Sequence, residues 1–212
     1  MPRWIDLPHP TEPFLVRRLS QLFVGLVAFG VSVALMVRAR LGLAPWDVLH
    51  QGIAKQTGIR LGWVVIAVSL VVLSLWIPLR QPLGIGTLAN AIVVGLSVNG
   101  ALIVLPQVDQ GWVRVVLLAT GVILNGVATG LYIGAGLGPG PRDGLMTGVA
   151  QRGHSIRSTR TALEVTVLIL GWFLGGTVGV GTAVYAIAIG SLAHVFIPRF
   201  TFNGGHTDGR AD

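Results

Sequence analysis

No cysteine occurs in the 212 residues, which excludes disulfides, thiolate metal sites and a cysteine nucleophile together. Charge is scarce as well: 11% of the residues are Asp, Glu, Lys or Arg against 52% hydrophobic, and the mean hydropathy is +0.76. A water-soluble domain needs a polar surface that this composition does not supply, so the length is better divided by membrane spans than by soluble domains. Acids are the rarer sign, eight against fifteen Lys and Arg. The net charge of +7 nevertheless does not indicate nucleic acid, because the arginines stand in short clusters beside apolar stretches, as the positive-inside rule expects. His9, His50, His154, His194 and His206 are scattered without an HExxH or any other metal-ligand spacing. No nucleophile with a base stands out either, so no catalytic residue, metal or cofactor is expected and the chain is not read as an enzyme.

What is present is a duplication. LGLAPWDVLHQGIA from Leu41 returns as LGPGPRDGLMTGVA from Leu137. Gly25, Gly30 and Leu35 precede the first motif as Gly121, Gly126 and Leu131 precede the second; LGIGT from Leu83 matches VGVGT from Val178, and Gly95 and Asn99 match Gly190 and His194. Apolar runs long enough to cross a bilayer extend from Leu19 to Val37, Leu61 to Leu79, Leu83 to Leu105, Trp112 to Ile133, Thr161 to Gly176 and Val178 to Ile197. Turn signals at Pro78 and Pro82, at PQVDQG from Pro106 and at Gly175–Gly176 mark breaks between them, and the second and third spans of each half read as tight hairpins.

The duplicated motifs are too short and too polar to span. Pro45 to Gly58 would make only about 21 Å of helix and contains Asp47, His50, Gln51 and Lys55. Pro45 and Pro141 suit the first position of a helix, and an aspartate two residues later complements its positive end, so each motif reads as a half-helix. The glycine-rich backbone before it must be shielded by protein or line a wet cavity. Each unit is then span, half-helix, span, span. If the segments 45–58 and 141–153 re-enter rather than cross, three crossings separate equivalent points and the second copy is inverted relative to the first. The resulting fold class is an all-α membrane protein of two inverted repeats, 19–105 and 112–198, joined by a loop at 106–111. Ten of the fifteen Lys and Arg then fall on the N-terminal side, which points to cytoplasmic termini, although eight crossings give a similar bias. The lead-in 1–18 lacks the basic region and cleavage site of a secretory signal and reads as retained and loosely ordered; the polar tail 199–212 reads the same way, with no soluble domain appended.

The paired LGxxPxD motifs followed by GxGT, in a small cysteine-free membrane protein, resemble the YczE/YitT group of bacterial membrane proteins from about Arg18 to Arg199. YitT-type members are expected to carry a soluble C-terminal domain, so this chain resembles the YczE branch more closely. The resemblance implies a duplicated integral protein of the bacterial cytoplasmic membrane and carries over no catalytic residue.

Candidate site residues follow from the cost of polar groups in a membrane. Asp47 and Asp143 either cap their half-helices, or bind a cation or proton, or pair with Arg142 until an anionic solute displaces them. Glu164 lies in an otherwise apolar span and either pairs with Arg160 one turn earlier or faces the interior. His50 shares a helical face with Asp47. Asn90, Asn99, Asn125, Tyr185 and His194 have helix-to-helix hydrogen bonding as their ordinary role, with Asn99 and His194 singled out by their equivalent positions. Gly42 and Gly138, and Gly86 and Gly181 in GxGT, read as close-packing positions. The expected function is transport of a small solute or ion at a site between the repeats. A non-transporting regulatory or assembly component, and a substrate-capturing subunit of an uptake system, are the alternatives. Expected partners are membrane lipid and the solute, with a monomer sufficient and a homodimer allowed.

Overall fold

The computed structural model describes residues 5–6, 15–153 and 155–201. Most of the lead-in and all but three residues of the tail therefore lie outside the described residues. Within them, β1 (Ile5–Asp6) pairs in parallel with β2 (Leu83–Gly84), a two-residue bridge on an otherwise helical framework. The helices are α1 (Leu15–Ala39), α2 (Pro45–Thr57), α3 (Leu61–Ser74), α4 (Trp76–Leu79), α5 (Ile85–Val104), α6 (Gly111–Gly134), α7 (Pro141–Ala150), α8 (Ile156–Phe173) and α9 (Val180–Phe200). α1 starts inside the segment read as lead-in, and α9 takes in Arg199 and Phe200 from the segment read as tail. The span read as continuous from Leu61 to Leu79 breaks at Leu75, because Pro78 has no N–H to offer the carbonyl of Ser74.

Among the described residues, five helical stretches are long and apolar enough to cross a membrane: α1, α3 with α4, α5, α6 and α9. α8 does not reach that measure, since its eighteen residues include Arg157, Arg160 and Glu164. The outer surface is apolar. Ile103, Val104, Phe173 and Ile187 are among many large hydrophobic side chains left exposed, far beyond what a soluble monomer tolerates.

α1 packs most extensively on α6 and α5, and α6 on α9. Two arginines fix the direction of the central pair. Arg18, near the start of α1, donates from Nε to Ala135 O (2.8 Å) and from a terminal nitrogen to Gly136 O (2.8 Å), at the end of α6. Arg114, near the start of α6, does the same for Ala39 O (2.7 Å) and Arg40 O (2.8 Å), at the end of α1. α1 and α6 are thus antiparallel, and each has its last carbonyls satisfied by the other's arginine. Arg18 and Arg114 stand at the same distance before the two LGxxPxD motifs. Replacing either by Met leaves two helix-end carbonyls, one of them on a buried alanine, short of a charged donor, and each variant is expected to lose about 1.5–3 kcal/mol. Unfolding of the detergent-solubilised protein measures this; unchanged midpoints for both would mean that water serves those carbonyls equally well.

The half-helices are held crosswise. Gly42 and Gly138 both have φ of 117°, where a side chain is strained, and a Cβ would meet Thr182 Oγ1 at 2.7 Å and Thr87 Oγ1 at 2.8 Å respectively. Gly181 N donates to Leu41 O (2.7 Å) and Gly86 N donates to Leu137 O (2.8 Å). So each GxGT docks on the motif of the other half, which accounts for the small residues there. α2 lies along α8, where Gly171 and Gly176 let its backbone come close, and Lys55 Nζ donates to Gly175 O (2.7 Å). α7 lies against α3 and α4, where buried Trp76 donates from Nε1 to Pro141 O (3.0 Å) and fills the space left by Gly144.

The two hairpins differ. α3 and α5 pack tightly at Gly62 and Gly95, and Asn99 Oδ1 accepts from Gly62 N (2.9 Å). α8 and α9 are not packed along one another in this way, and a side chain on Gly190, the match of Gly95, would meet nothing. The sequence reading of tight hairpins in both halves therefore holds for the first half alone. Lengthy contact of α8 with α2 takes the place of contact with α9.

Candidate functional site

A cavity of about 170 Å³ lies at the start of both half-helices. Pro45 and Trp46 of α2 and Pro141, Arg142 and Asp143 of α7 reach it, with Phe29 of α1, Tyr132 of α6, Arg160 and Glu164 of α8, and Tyr185 and Ile189 of α9. Proline at the first position of each half-helix sets the entry angle. The N-cap residues are Ala44 and Gly140, and neither half-helix has a side-chain cap.

Both aspartates stand in the first turn of their half-helices, and the hydrogen-bond partners of their carboxylates are side chains. Asp47 is 1% exposed and accepts from His50 Nδ1 at 3.3 Å, with a terminal nitrogen of Arg142 4.0 Å from the same oxygen. Asp143 Oδ2 accepts the hydroxyl of Tyr132 at 2.6 Å and lies over Gly140, where a Cβ would stand 3.0 Å from it.

Arg142 joins the halves. It crosses from α7 to Asp47 of α2, and its guanidinium lies 5.7 Å from the ring centroids of both Phe29 and Trp46. Two aromatic faces compensate a cation well in a desolvated place. Phe29 is set edge-on to Tyr132, centroids 6.1 Å apart, so the ring under Arg142 also packs on the residue that holds Asp143. Across the cavity, Arg160 Nε donates to Glu164 Oε1 at 2.9 Å. Glu164 thus fills both roles read from the sequence, paired with Arg160 and facing the interior.

Of the expected site residues, Arg142, Asp143 and Glu164 line the cavity. Asp47 and His50 lie behind its wall, and Asp47 acts there through Arg142. Asn99 is taken up by Gly62 at the α3–α5 contact, and His194 is exposed on α9; neither lines the cavity. Their equivalence in sequence reflects matching helix faces, not a shared site. Asn125, read as helix glue, is that: its Nδ2 donates to Ser32 Oγ (2.8 Å), and its Oδ1 accepts from Tyr185 (3.0 Å). Phe29, Trp46 and Tyr132 were not legible as site residues. Trp46 sits within the motif beside Asp47, the one local signal available. Among the described residues no group of three or more His, Asp and Glu is placed to hold a metal.

Helices of membrane-crossing length, an apolar exterior and a charged interior cavity define a multi-pass α-helical membrane protein. The chain belongs to a family of unknown function, DUF6198, which it matches over residues 16–198. It is 41% identical over 182 residues to an uncharacterized protein of Haemophilus influenzae, covering 85% of this chain and 84% of the relative. It is 33% identical over 189 residues to the uncharacterized membrane protein YczE of Bacillus subtilis, 87% of each chain, and 25% identical over 181 residues to YyaS of the same species, 82% of this chain and 90% of that one. No solved structure matches it.

Proposed function

We propose that this protein carries a small solute across the bacterial cytoplasmic membrane, with the cavity at the two half-helix starts as its binding site. The two sequence repeats, taken as inverted units of three crossings and one re-entrant half-helix, give a carrier the means to expose one site to either side. α8 is the sixth crossing in this reading, its charged residues turned inward on the site. The antiparallel α1 and α6 and the crosswise docking of the half-helices support the inversion. So do the end contacts. Lys55 meets Gly175, and Arg40 bonds to Gln107, at ends that six crossings place outside. Gln81 donates to Gln151 (2.8 Å), at ends they place in the cytoplasm with both termini.

The observation that carries the transport reading is the unequal closure of the two hairpins. α3 is shut on α5, while α8 and α9 both line the cavity without packing along one another. In an inverted pair the reverse arrangement, α8 shut on α9 and α3 parted from α5, exposes the same site to the opposite side.

The absence of native cysteine makes the test direct. Single cysteines at Gln151 and Arg199 should be labelled from the cytoplasmic side, and those at Lys55 and Gln110 from outside. Thr161→Cys combined with Gly190→Cys should cross-link under mild oxidation as α8 closes. Labelling of Lys55 on the cytoplasmic side would overturn the re-entrant topology, and a pair that never cross-links would overturn the moving hairpin.

A further inference from the structure

The cavity carries one more acid than its arginines balance. Arg142 has Asp47 as its counter-charge and Arg160 has Glu164, while Asp143, on the same wall, has no ion pair among the described residues. Its partner is the neutral Tyr132 hydroxyl, on Oδ2 at 2.6 Å. Its Oδ1 accepts no hydrogen bond among the described residues, and neither does Oε2 of Glu164, whose Oε1 takes the Arg160 N–H. A third acceptor stands on the same wall. The Asn90 amide makes no hydrogen bond among the described residues, whereas Tyr185, its match after the second GxGT, is tied to Asn125. Asn90 and Asp143 converge, since a Cβ on Gly140 would stand 3.0 Å from Asp143 Oδ2 and 3.3 Å from the Asn90 amide nitrogen. A carboxylate away from bulk water needs a cation or a full set of donors, and Asp143 has one hydroxyl. The start of α7 favours this first-turn carboxylate without neutralising it, and the start of α2 does the same for Asp47.

Size and surface narrow the cation. Among the described residues no group of three or more His, Asp and Glu is placed to hold a metal, and a bare monovalent ion would leave most of the 170 Å³ unfilled. A cavity of about 150 Å³ holds benzene, so this one suits an ammonium with about three or four carbons. Ile189, Ala193 and Ile197 give those carbons an apolar side. An ammonium presents three donors on one charge, which matches the free oxygens of Asp143 and Glu164, the Asn90 carbonyl and the one unbalanced acid. A dication would exceed that charge. An anion would meet Asp143 and Glu164 with both arginines already paired.

We propose that the cavity binds a small organic monocation, its ammonium on the free oxygens of Asp143 and Glu164 and on the Asn90 carbonyl, and its hydrocarbon against α9. This rests on the reading of the cavity as the solute site. The probes are propylammonium chloride, 1-propanol, sodium propionate and sodium chloride, added to the purified full-length protein in detergent at pH 8, where the amine is protonated and an ordinary histidine is not. Thermal unfolding follows all four, and saturation-transfer NMR follows the methyl protons of the three organic probes. Propylammonium should raise the unfolding temperature by several degrees at saturation and show transfer, and the other three should not. Asp143→Asn keeps an acceptor for Tyr132 and removes the charge, and it should weaken propylammonium binding at least tenfold. Glu164→Gln should weaken it several-fold, and it decides the question if Asp143→Asn does not fold. Propylammonium binding that the deciding variant leaves unchanged would overturn the assignment. Stabilisation by propanol, propionate or sodium chloride equal to that by propylammonium would overturn it too, as would no response to any of the four. The carrier reading fails separately, if cysteines at Thr161 and Gly190 never cross-link in the protein without added probe.

Discussion

Trp76→Ala is expected to destabilise the protein by about 3–5 kcal/mol, as for other buried aromatic truncations. Trp76 is 1% exposed, fills the space against Gly144 and donates to Pro141 O. Removing it leaves a void beside the first turn of α7 and an unpaired carbonyl at the cavity wall. Its sequence match in the second half, Trp172, is 61% exposed, and Trp172→Ala should stay within about 0.5 kcal/mol. Reversible unfolding of the two variants in detergent measures the contrast. Equal losses would mean that α7 is not anchored by Trp76. Trp76→Phe, keeping most of the volume and losing the N–H, should fall between them.

The second large effect is expected at Asp47. Asp47→Ala leaves the Arg142 guanidinium at the cavity wall without its buried counter-charge, and loss of one partner from such a pair costs about 3–5 kcal/mol. Asp47→Asn combined with Arg142→Gln removes both charges and should recover more than half of that loss. The same unfolding measurement on the singles and the double completes the cycle. If the double variant is no more stable than Asp47→Ala, the link between the halves through Arg142 has no energetic weight. A loss of no more than about 1 kcal/mol in Asp47→Ala would fit a role at the helix start alone.

The half-helix starts were legible because proline followed by aspartate marks a helix beginning locally, and Gly42 and Gly138 mark the turn before it. The GxGT positions were legible for a similar reason, since only backbone packing asks for repeated glycine in an apolar span. Site membership was not. The sequence does not show which side chains the aspartates meet, and His50 and Asp47 end behind the wall. Phe29 and Tyr132 fall on apolar helix faces where any aromatic packs, so nothing nearby distinguishes them. Arg18 and Arg114 read as interfacial charges; their roles as terminal caps depend on carbonyls 117 and 75 residues away. The second hairpin misled because the match of Gly190 to Gly95 describes the sequence of α9 and says nothing about where α8 goes.

Crosswise anchoring has a consequence for how the chain is made. The carbonyls that end α1 wait for Arg114, and the turn before α7 docks on α5, so these pairings join segments far apart in the order of synthesis. Contacts of that separation form late. The first half therefore inserts with its half-helix turn uncovered and its first helix end unsatisfied, and stays unfinished until the second half is in the bilayer. A ribosome paused between Val104 and Gly111 would leave an intermediate that binds chaperone or is degraded, while two halves synthesised as separate chains could complete each other.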